Sequence, residues 1–331
     1  MDETKRENEY YIGVDFGGKK ILSGVFNNKF ECIGSTKIST KSYRGVDAVI
    51  TRIAKCILEA VDECDLNINS VSAIGIGAPG IVDPEKGVVI FAPNLHWKDV
   101  PLKQEIENIL KVPVVIDNDV NICTLGVYET EFEIKPSSLI GIFIGTGIGG
   151  GIIINGKLYS GFNKTAGEIG HIVIDVNGPK CGCGNHGCFE ALASRSAIFR
   201  NIKQAVKNGE KTILSEILGN ELEDLKSGDL RKAIKRGDDL VLRIVKEASG
   251  YIGIAVANLI NILSPEVVVL GGGVIEALED KIMPLIIETI NKNAFPHTTD
   301  NVKIVASKLG DDAGIVGAAI LAKNYLKLRD V

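Results

Sequence analysis

The sequence predicts an α/β protein of two domains, on three observations. Apolar runs of strand length alternate with stretches whose apolar residues recur at helical spacing. The 331-residue length exceeds what a single hydrophobic core usually spans. Two strand–glycine turn–strand units, Asp15 to Phe26 and Gly145 to Gly156, echo each other, one in each half of the chain.

Taken in order, Tyr10 to Val14 reads as a strand ending at Asp15, turned by Gly17 and Gly18 and resumed by Ile21 to Phe26. Val46 to Cys64 has the helical period, and Val71 to Ile76 is a strand running into Gly77-Ala-Pro-Gly80. Val112 to Ile116 is a short strand ending in Asp117, Asn118 and Asp119, and Val120 to Val127 follows as a helix. The domain break is expected here. Residues 1–120 form an N-terminal α/β domain, completed by the closing helix within 311–331, and residues 121–310 form a larger α/β domain. In the larger domain, Ser138 to Ile144 and Gly151 to Ile154 flank a GTGIGG turn, a cysteine-rich stretch follows, and Ala191 to Lys207 is helical. Three further helical patterns lead to a long helix at Asp239 to Leu263. Val267 to Leu270 is a buried strand entering Gly271 to Gly273, Asn301 to Ala306 is another strand, and Ala313 to Leu328 is the closing helix.

Composition excludes several classes of function. The formal net charge is −5 with no dense basic tract, so there is no electrostatic footprint for nucleic acid. No charge-free apolar run reaches the roughly 18 residues of a membrane span. The start of the chain lacks the apolar region of a signal peptide. Of seven cysteines, three fall within eight positions, a pattern of metal binding in a reducing compartment, so a cytoplasmic location is expected.

Those three, Cys181, Cys183 and Cys188, together with His171 upstream, supply three thiolates and an imidazole, the set that structural zinc takes in tetrahedral geometry. All four positions would be filled, leaving none for an activated water. His186, inside the Cys183 to Cys188 loop, is a rival fourth ligand by spacing. Glu168 and Glu190 flank the clip.

Three glycine loops can bring backbone N–H groups close to phosphate: Gly17-Gly18, Gly145 to Gly151, and Gly271 to Gly273. Asp15 ends the first strand, where an oxygen ligand suits Mg2+, and Thr146 offers a hydroxyl in the second loop. The bland alternative is that the glycines serve hairpins and close packing. Two familiar nucleotide motifs do not apply. In GVDFGGKK the last position is Lys20, which has no hydroxyl for a metal, and a strand follows it; GTGIGG likewise opens no helix.

Asp119 stands at a strand end, where catalytic groups emerge from open α/β sheets, and suits a general base for phosphoryl transfer. The competing reading is a cap on the helix that follows. Asn94, in the APNLHW stretch, together with Glu168, His171 and Glu190 makes a set of amide, carboxylates and imidazole that fits several hydroxyls of one sugar. Trp97 reads as a core or rim aromatic, and His96 and His297 as surface or loop residues.

From about Tyr11 to Leu326 the chain resembles the ROK family (repressors, open reading frames and sugar kinases), especially its bacterial-type glucokinases. The residues that carry the likeness are DFGG at 15–18, GAPG at 77–80, PNLHW at 93–97, DND at 117–119, GTGIGGG at 145–151, GEIGH at 167–171, CGCGNHGCFE at 181–190 and GGG at 271–273. The resemblance implies an actin-like ATPase fold, with two ribonuclease-H-like domains flanking a cleft. It implies an ATP- and Mg2+-dependent hexose kinase, most similar to glucokinases, in which Asp119 takes the proton from the sugar 6-hydroxyl. Asn94, Asn118, Asp119, Glu168, His171 and Glu190 match its sugar-contacting positions. Its zinc ligands fall on His171, Cys181, Cys183 and Cys188, against His186.

By the same resemblance, Asp15, Gly17, Gly18, Lys19, Gly145, Thr146, Gly147, Gly271, Gly272 and Gly273 hold the nucleotide. One departure stands out: the first loop of the family usually reads D-x-G-G-T, and here Lys19 fills the threonine position, where it meets phosphate as a point charge and leaves polyphosphate open as a donor. Kinases for fructose, mannose, allose or N-acetylmannosamine are the alternative, and a sugar-binding transcriptional regulator is a more distant one. A homodimer, or a tetramer, is implied.

Overall fold

The structure, a computed structural model, describes residues 9–219 and 221–329. They form two compact units. The first comprises the chain to Lys135, Leu158–Ala166 and the chain from Asp311 onward; the second comprises Pro136–Lys157 and Gly167–Gly310.

The first unit is built on strands β1 (Tyr10–Phe16), β2 (Lys20–Phe26) and β3 (Cys32–Ser39), which run antiparallel as neighbours. Helix α1 (Val46–Asp62) returns the chain to β4 (Val71–Ala78), parallel to β1. A small antiparallel sheet of β5 (Ile81–Asp83), β6 (Val88–Ala92) and β7 (Trp97–Val100) precedes α2 (Leu102–Leu110). Strand β8 (Val114–Asn118) then pairs parallel to β4 and leads into α3 (Asp119–Thr130). The main sheet has the order β3-β2-β1-β4-β8.

The second unit repeats that plan. Its strands are β9 (Ser138–Ile144), β10 (Ile148–Ile154), β11 (Lys157–Leu158), β12 (Val267–Gly271) and β13 (Lys303–Ala306), in the order β11-β10-β9-β12-β13. Between β11 and β12 come α4 (Phe189–Ala193), α5 (Arg195–Lys207), α6 (Ile213–Leu218), α7 (Ser227–Lys235) and α8 (Asp239–Leu263); α9 (Gly273–Asn293) joins β12 to β13. The hairpins β1–β2 and β9–β10 therefore hold equivalent places, which is the internal echo seen in the sequence. Helix α10 (Ala313–Arg329) closes the chain within the first unit.

The reasons for these elements are local. Helix α1 buries Val49, Ile53, Ile57, Ala60 and Val61 along one stripe. Strands β1 and β4 carry glycine where α10 crosses them. A Cβ on Gly13 would stand 1.8 Å from the Ile315 carbonyl oxygen, and one on Gly75 1.9 Å from that of Ala318, so helix backbone rests directly on strand backbone. Gly126 of α3 meets Gly317 of α10 in the same manner, which draws α3 into the first unit. The chain thus leaves that unit after Lys135, beyond the expected break at residue 120.

Other departures have physical causes. Strand β3 alternates exposed and half-buried residues and lacks an apolar run. Helix α9 contains Pro284, and α2 spans only nine residues. The helix expected from Ala191 to Lys207 breaks at Ser194, whose hydroxyl accepts from Ala197 N at 3.2 Å and caps α5. Among the described residues, two helices, not three, separate α5 from α8. Among the described residues, no helix is long and apolar enough to cross a membrane.

Candidate functional site

In the first unit the predicted groups gather at the ends of β1, β4 and β8. The Gly17–Lys19 turn is clamped from below. Gly17 N donates to Lys20 O at 2.9 Å, Thr40 N donates to Lys19 O at 3.0 Å, and the buried Thr40 hydroxyl donates to Gly17 O at 2.6 Å. Asp15 lies just before the turn. Burial raises its pKa above the ordinary carboxylate value, partly offset by the Lys20 ammonium 4.0 Å away. Lys20 also reaches Asp311, at 3.3 Å. Lys19, the lysine singled out by its position in the motif, is exposed. The inner cation is Lys20, which sequence reasoning missed. Its signal was the strand period: Asp15 pairs with Leu22, so Lys20 shares the face of Asp15.

Asn94 sits in the 3-10 turn Pro93–Leu95, and its Cβ lies 3.7 Å from where a Cβ on Gly18 would stand. The neighbouring Trp97 is a core residue, 1% exposed and packed on Phe16 at 5.2 Å between centroids.

The Asp117–Asp119 stretch divides its labour. Asn118, not Asp119, is the N-cap of α3. Its side-chain oxygen accepts from Val120 N at 2.9 Å and Asn121 N at 3.1 Å, while its amide nitrogen donates to Gly80 O at 3.0 Å. Asp117 is buried and accepts from the Asn121 amide at 3.0 Å; burial raises its pKa. Asp119 is the first residue of α3, with Val120 N donating to its Oδ1 at 2.9 Å. One turn further along, burial drives the Cys123 thiol pKa well up, and the Asp15 and Asp119 carboxylates add to the rise. Backbone geometry brings the two acids together through Gly77, which pairs with Asp15 across β1 and β4 and whose added Cβ would stand 3.3 Å from the Asp119 Cα.

In the second unit the metal clip is complete. The ligand atoms of His171, Cys181, Cys183 and Cys188 lie within 4.8 Å of one another. Two zinc–thiolate bonds of about 2.3 Å at a tetrahedral angle set their sulfurs about 3.8 Å apart. Cys183 Sγ and Cys188 Sγ are 3.7 Å apart, and Cys181 Sγ is 3.7 Å from His171 Nδ1. Burial pushes the Cys181 thiol up and the Cys188 thiol up to about 12, so three thiolates side by side call for a cation. The donor set and spacing fit zinc. His186 stays outside the cluster, exposed, with Nδ1 3.4 Å from Gly178 O.

Two carboxylates border the clip. Glu168 Oε2 lies 3.9 Å from His171 Nε2, the ring nitrogen turned away from the sulfurs. Glu190 Oε2 accepts from Ile148 N at 2.9 Å, and Glu190 Oε1 lies 4.0 Å from Cys181 Sγ. Glu190 therefore ties the clip to the Gly145–Gly147 turn, and a Cβ on Gly147 would stand 2.2 Å from its Oε2. In the third loop, Gly271 lies against the Phe143 ring and Gly272 has φ 87°. Gly150 is packed too, its Cβ position 2.1 Å from Ile169 Cδ1, but four loop glycines differ from these. A Cβ on Gly17, Gly18, Gly145 or Gly273 would meet nothing nearer than 3.6 Å, and none of the four has a positive φ.

The comparisons with known proteins agree on one family. The ROK family model matches residues 11–325. The chain is 34% identical over 317 residues to a glucokinase of Halalkalibacterium halodurans, covering 96% of each. It is 33% identical over 306 residues to a xylose repressor of Caldicellulosiruptor bescii, covering 92% of this chain and 76% of that protein. The crystal structure of a ROK family glucokinase from Streptomyces griseus, in complex with glucose and AMPPNP, superposes with a TM-score of 0.85 at 32% identity, covering 95% of this chain and 99% of that one. The chain belongs to the ROK family, and its α/β architecture of mixed sheets is that of the actin-like ATPase superfamily.

Proposed function

We propose that this chain is an ATP-dependent hexose kinase whose substrate is glucose, transferring the γ-phosphoryl group to the sugar 6-hydroxyl. The observation that carries the reading is at the head of α3. Asn118 does the capping, so Asp119 is not needed as the cap, and the head of α3 lies against Gly77, the strand partner of Asp15. Likeness over 95% of the chain to a kinase structure holding glucose and AMPPNP supports it.

In this reading Asp119 accepts the proton of the 6-hydroxyl as the oxygen attacks the γ-phosphorus. Asn94 and Asn118, with Glu168, His171 and Glu190, pair the remaining hydroxyls. His171 gives Nδ1 to zinc and keeps Nε2 for the sugar, with Glu168 beside it. Zinc is structural here: its four ligands leave no open position. Mg2+ when bound neutralises charge on the transferred group, and Asp15 is the carboxylate suited to hold it, directly or through water. Gly17, Gly18, Lys19, Gly145, Thr146, Gly147 and Gly271–Gly273 form the nucleotide loops. We place the protein in the cytoplasm, where thiols of a zinc clip stay reduced, and read it as a homodimer.

The likeness to a xylose repressor favours a second reading, a sugar-binding regulator. One experiment separates the two. ADP release from Mg-ATP is followed across glucose, fructose, mannose, allose and N-acetylmannosamine, and again with polyphosphate as donor. Glucose-dependent turnover well above all others supports the proposal. Preference for another hexose renames the substrate. Sugar binding by calorimetry with no turnover on any donor sinks the kinase and favours the regulator.

A further inference from the structure

Two residues outside the sequence-derived site converge on Gly273. A Cβ placed there would have Arg195 Nη1 and Ser227 Oγ as its nearest neighbours, each 3.8 Å away. Both belong to the second unit, and each is the first residue of its helix, α5 and α7.

Arg195 also reaches the other glycine loop. Its backbone N donates to Gly145 O at 2.9 Å, and its Nη2 donates to the Thr146 hydroxyl at 2.5 Å. The next residue, Ser196, donates its hydroxyl to Thr146 O at 2.7 Å. The Thr146 oxygen is thus an acceptor toward Arg195, which leaves its own hydrogen to be donated elsewhere. No carboxylate pairs with the Arg195 guanidinium among the described residues. Ser227 adds an independent observation. Its hydroxyl oxygen is buried and has no hydrogen-bond partner among the described residues. Buried hydroxyls are rarely left so, and an orphan beside an uncompensated cation fits an absent acceptor.

We infer that Arg195 and Ser227, with the Thr146 hydroxyl, form a subsite for phosphate oxygens of the nucleotide donor. Each of the three groups has a hydrogen to donate, the guanidinium fork suits phosphate geometry, and Gly273 keeps the space between them clear. Arg195 spans the 145–147 and 271–273 loops, so one side chain would both orient Thr146 and meet the ligand. The inference rests on the kinase reading and deepens it.

The test uses the full chain, zinc-loaded, as wild type, Arg195→Met, Arg195→Lys and Ser227→Ala. AMPPNP binding in the presence of Mg2+ is measured by titration calorimetry, and KM is determined separately for ATP and for the sugar. Arg195→Met is expected to weaken AMPPNP and raise the ATP KM by about 10- to 100-fold, the range of a lost charge-assisted hydrogen bond, while the sugar KM stays within about twofold. Arg195→Lys recovers part of the loss, and Ser227→Ala costs about 3- to 10-fold. AMPPNP binding by Arg195→Met within about twofold of wild type, or equal losses for sugar and nucleotide, overturns the subsite. If Arg195→Met fails to fold, the same criterion falls on Arg195→Lys and Ser227→Ala. Normal wild-type turnover with unchanged variants sinks the subsite alone. Wild type that binds AMPPNP through Arg195 but phosphorylates no hexose sinks the kinase reading alone.

Discussion

Asp119→Asn separates chemistry from folding. The base reading and the capping reading both predict that this position matters, but the structure assigns the cap to Asn118. An asparagine at 119 keeps an oxygen for the Val120 N–H, which donates to Asp119 Oδ1 at 2.9 Å. What stability loses is one negative charge in the first turn of α3, worth about 0.3–1 kcal/mol. In a chain of this size that lowers the melting midpoint by no more than about 3 °C. What catalysis loses is the proton acceptor, a factor of about 100 to 10,000, or about 3–5 kcal/mol of barrier. Asn118→Ala is the counterpart. It deletes two cap bonds and the link to Gly80, costing about 1–2 kcal/mol of stability. The assay is ADP release at saturating sugar and ATP, beside thermal unfolding of both variants. Retention of more than about a tenth of wild-type turnover by Asp119→Asn would refute Asp119 as base, given the range for general-base loss. A midpoint fall matching that of Asn118→Ala would show that Asp119 carries the helix end after all.

Stripping the clip with a strong chelator should lower the melting midpoint by about 10 °C or more, with zinc and not magnesium restoring it, as scanning calorimetry would show. Gly75→Ala places a Cβ 1.9 Å from the Ala318 carbonyl oxygen and should destabilise by about 1–3 kcal/mol in denaturant titrations, because neither backbone can yield cheaply. Gly145→Ala, whose nearest neighbour would be 4.0 Å away, should melt at or slightly above wild type yet raise the ATP KM. Asp15→Asn should melt higher than wild type at pH 7. Burial raises the Asp15 pKa above 3.8, so its contribution to stability is full below that value and is lost as pH rises through the folded-state pKa. The gap in melting midpoint should therefore close as pH is lowered into the carboxylate range, while Asp15→Asn turnover stays low throughout.

What the sequence showed best was whatever has a period or a fixed spacing. Strands β1, β4, β9 and β12 are apolar runs, α1 and α8 have clean helical stripes, and three thiols within eight positions announce a metal. What it hid depends on neighbours brought in from elsewhere in the chain. Strand β3 is held by pairing with β2 rather than by its own apolar content, and Pro284 masks the length of α9. Spacing left His186 as a rival to His171, the resemblance pointed to His171, and the folded loop turns the His171 imidazole to the sulfurs. Lys19 drew attention because it breaks a motif, yet the ammonium that meets Asp15 belongs to Lys20. Arg195 and Ser227 carry no motif, lying far from Gly273 in sequence, and they become visible only when Arg195 is seen to touch both the 145–147 and the 271–273 loops.

Glycine is where the two kinds of information join. A glycine in a sequence means either that the chain needs the space or that something else does, and sequence alone does not separate the two. The structure does so position by position. Gly13 and Gly75 are filled by α10 backbone, Gly147 by the Glu190 carboxylate, and Gly271 by the Phe143 ring; the chain itself explains them. Gly17, Gly18, Gly145 and Gly273 have open space at the missing Cβ and ordinary φ, so alanine would fit the chain as it stands. Alanine would also form these segments with less loss of backbone entropy, so glycine here carries a stability cost with no structural return. That cost is expected where a bulky ligand must reach the backbone N–H groups. The four positions fall at the turns of both hairpins and at the head of α9, the same three loops that the motifs singled out as phosphate contacts. The open glycines are therefore the narrower proposal for nucleotide contact, while Gly147, Gly271 and Gly272 are already required by the chain's own packing and backbone.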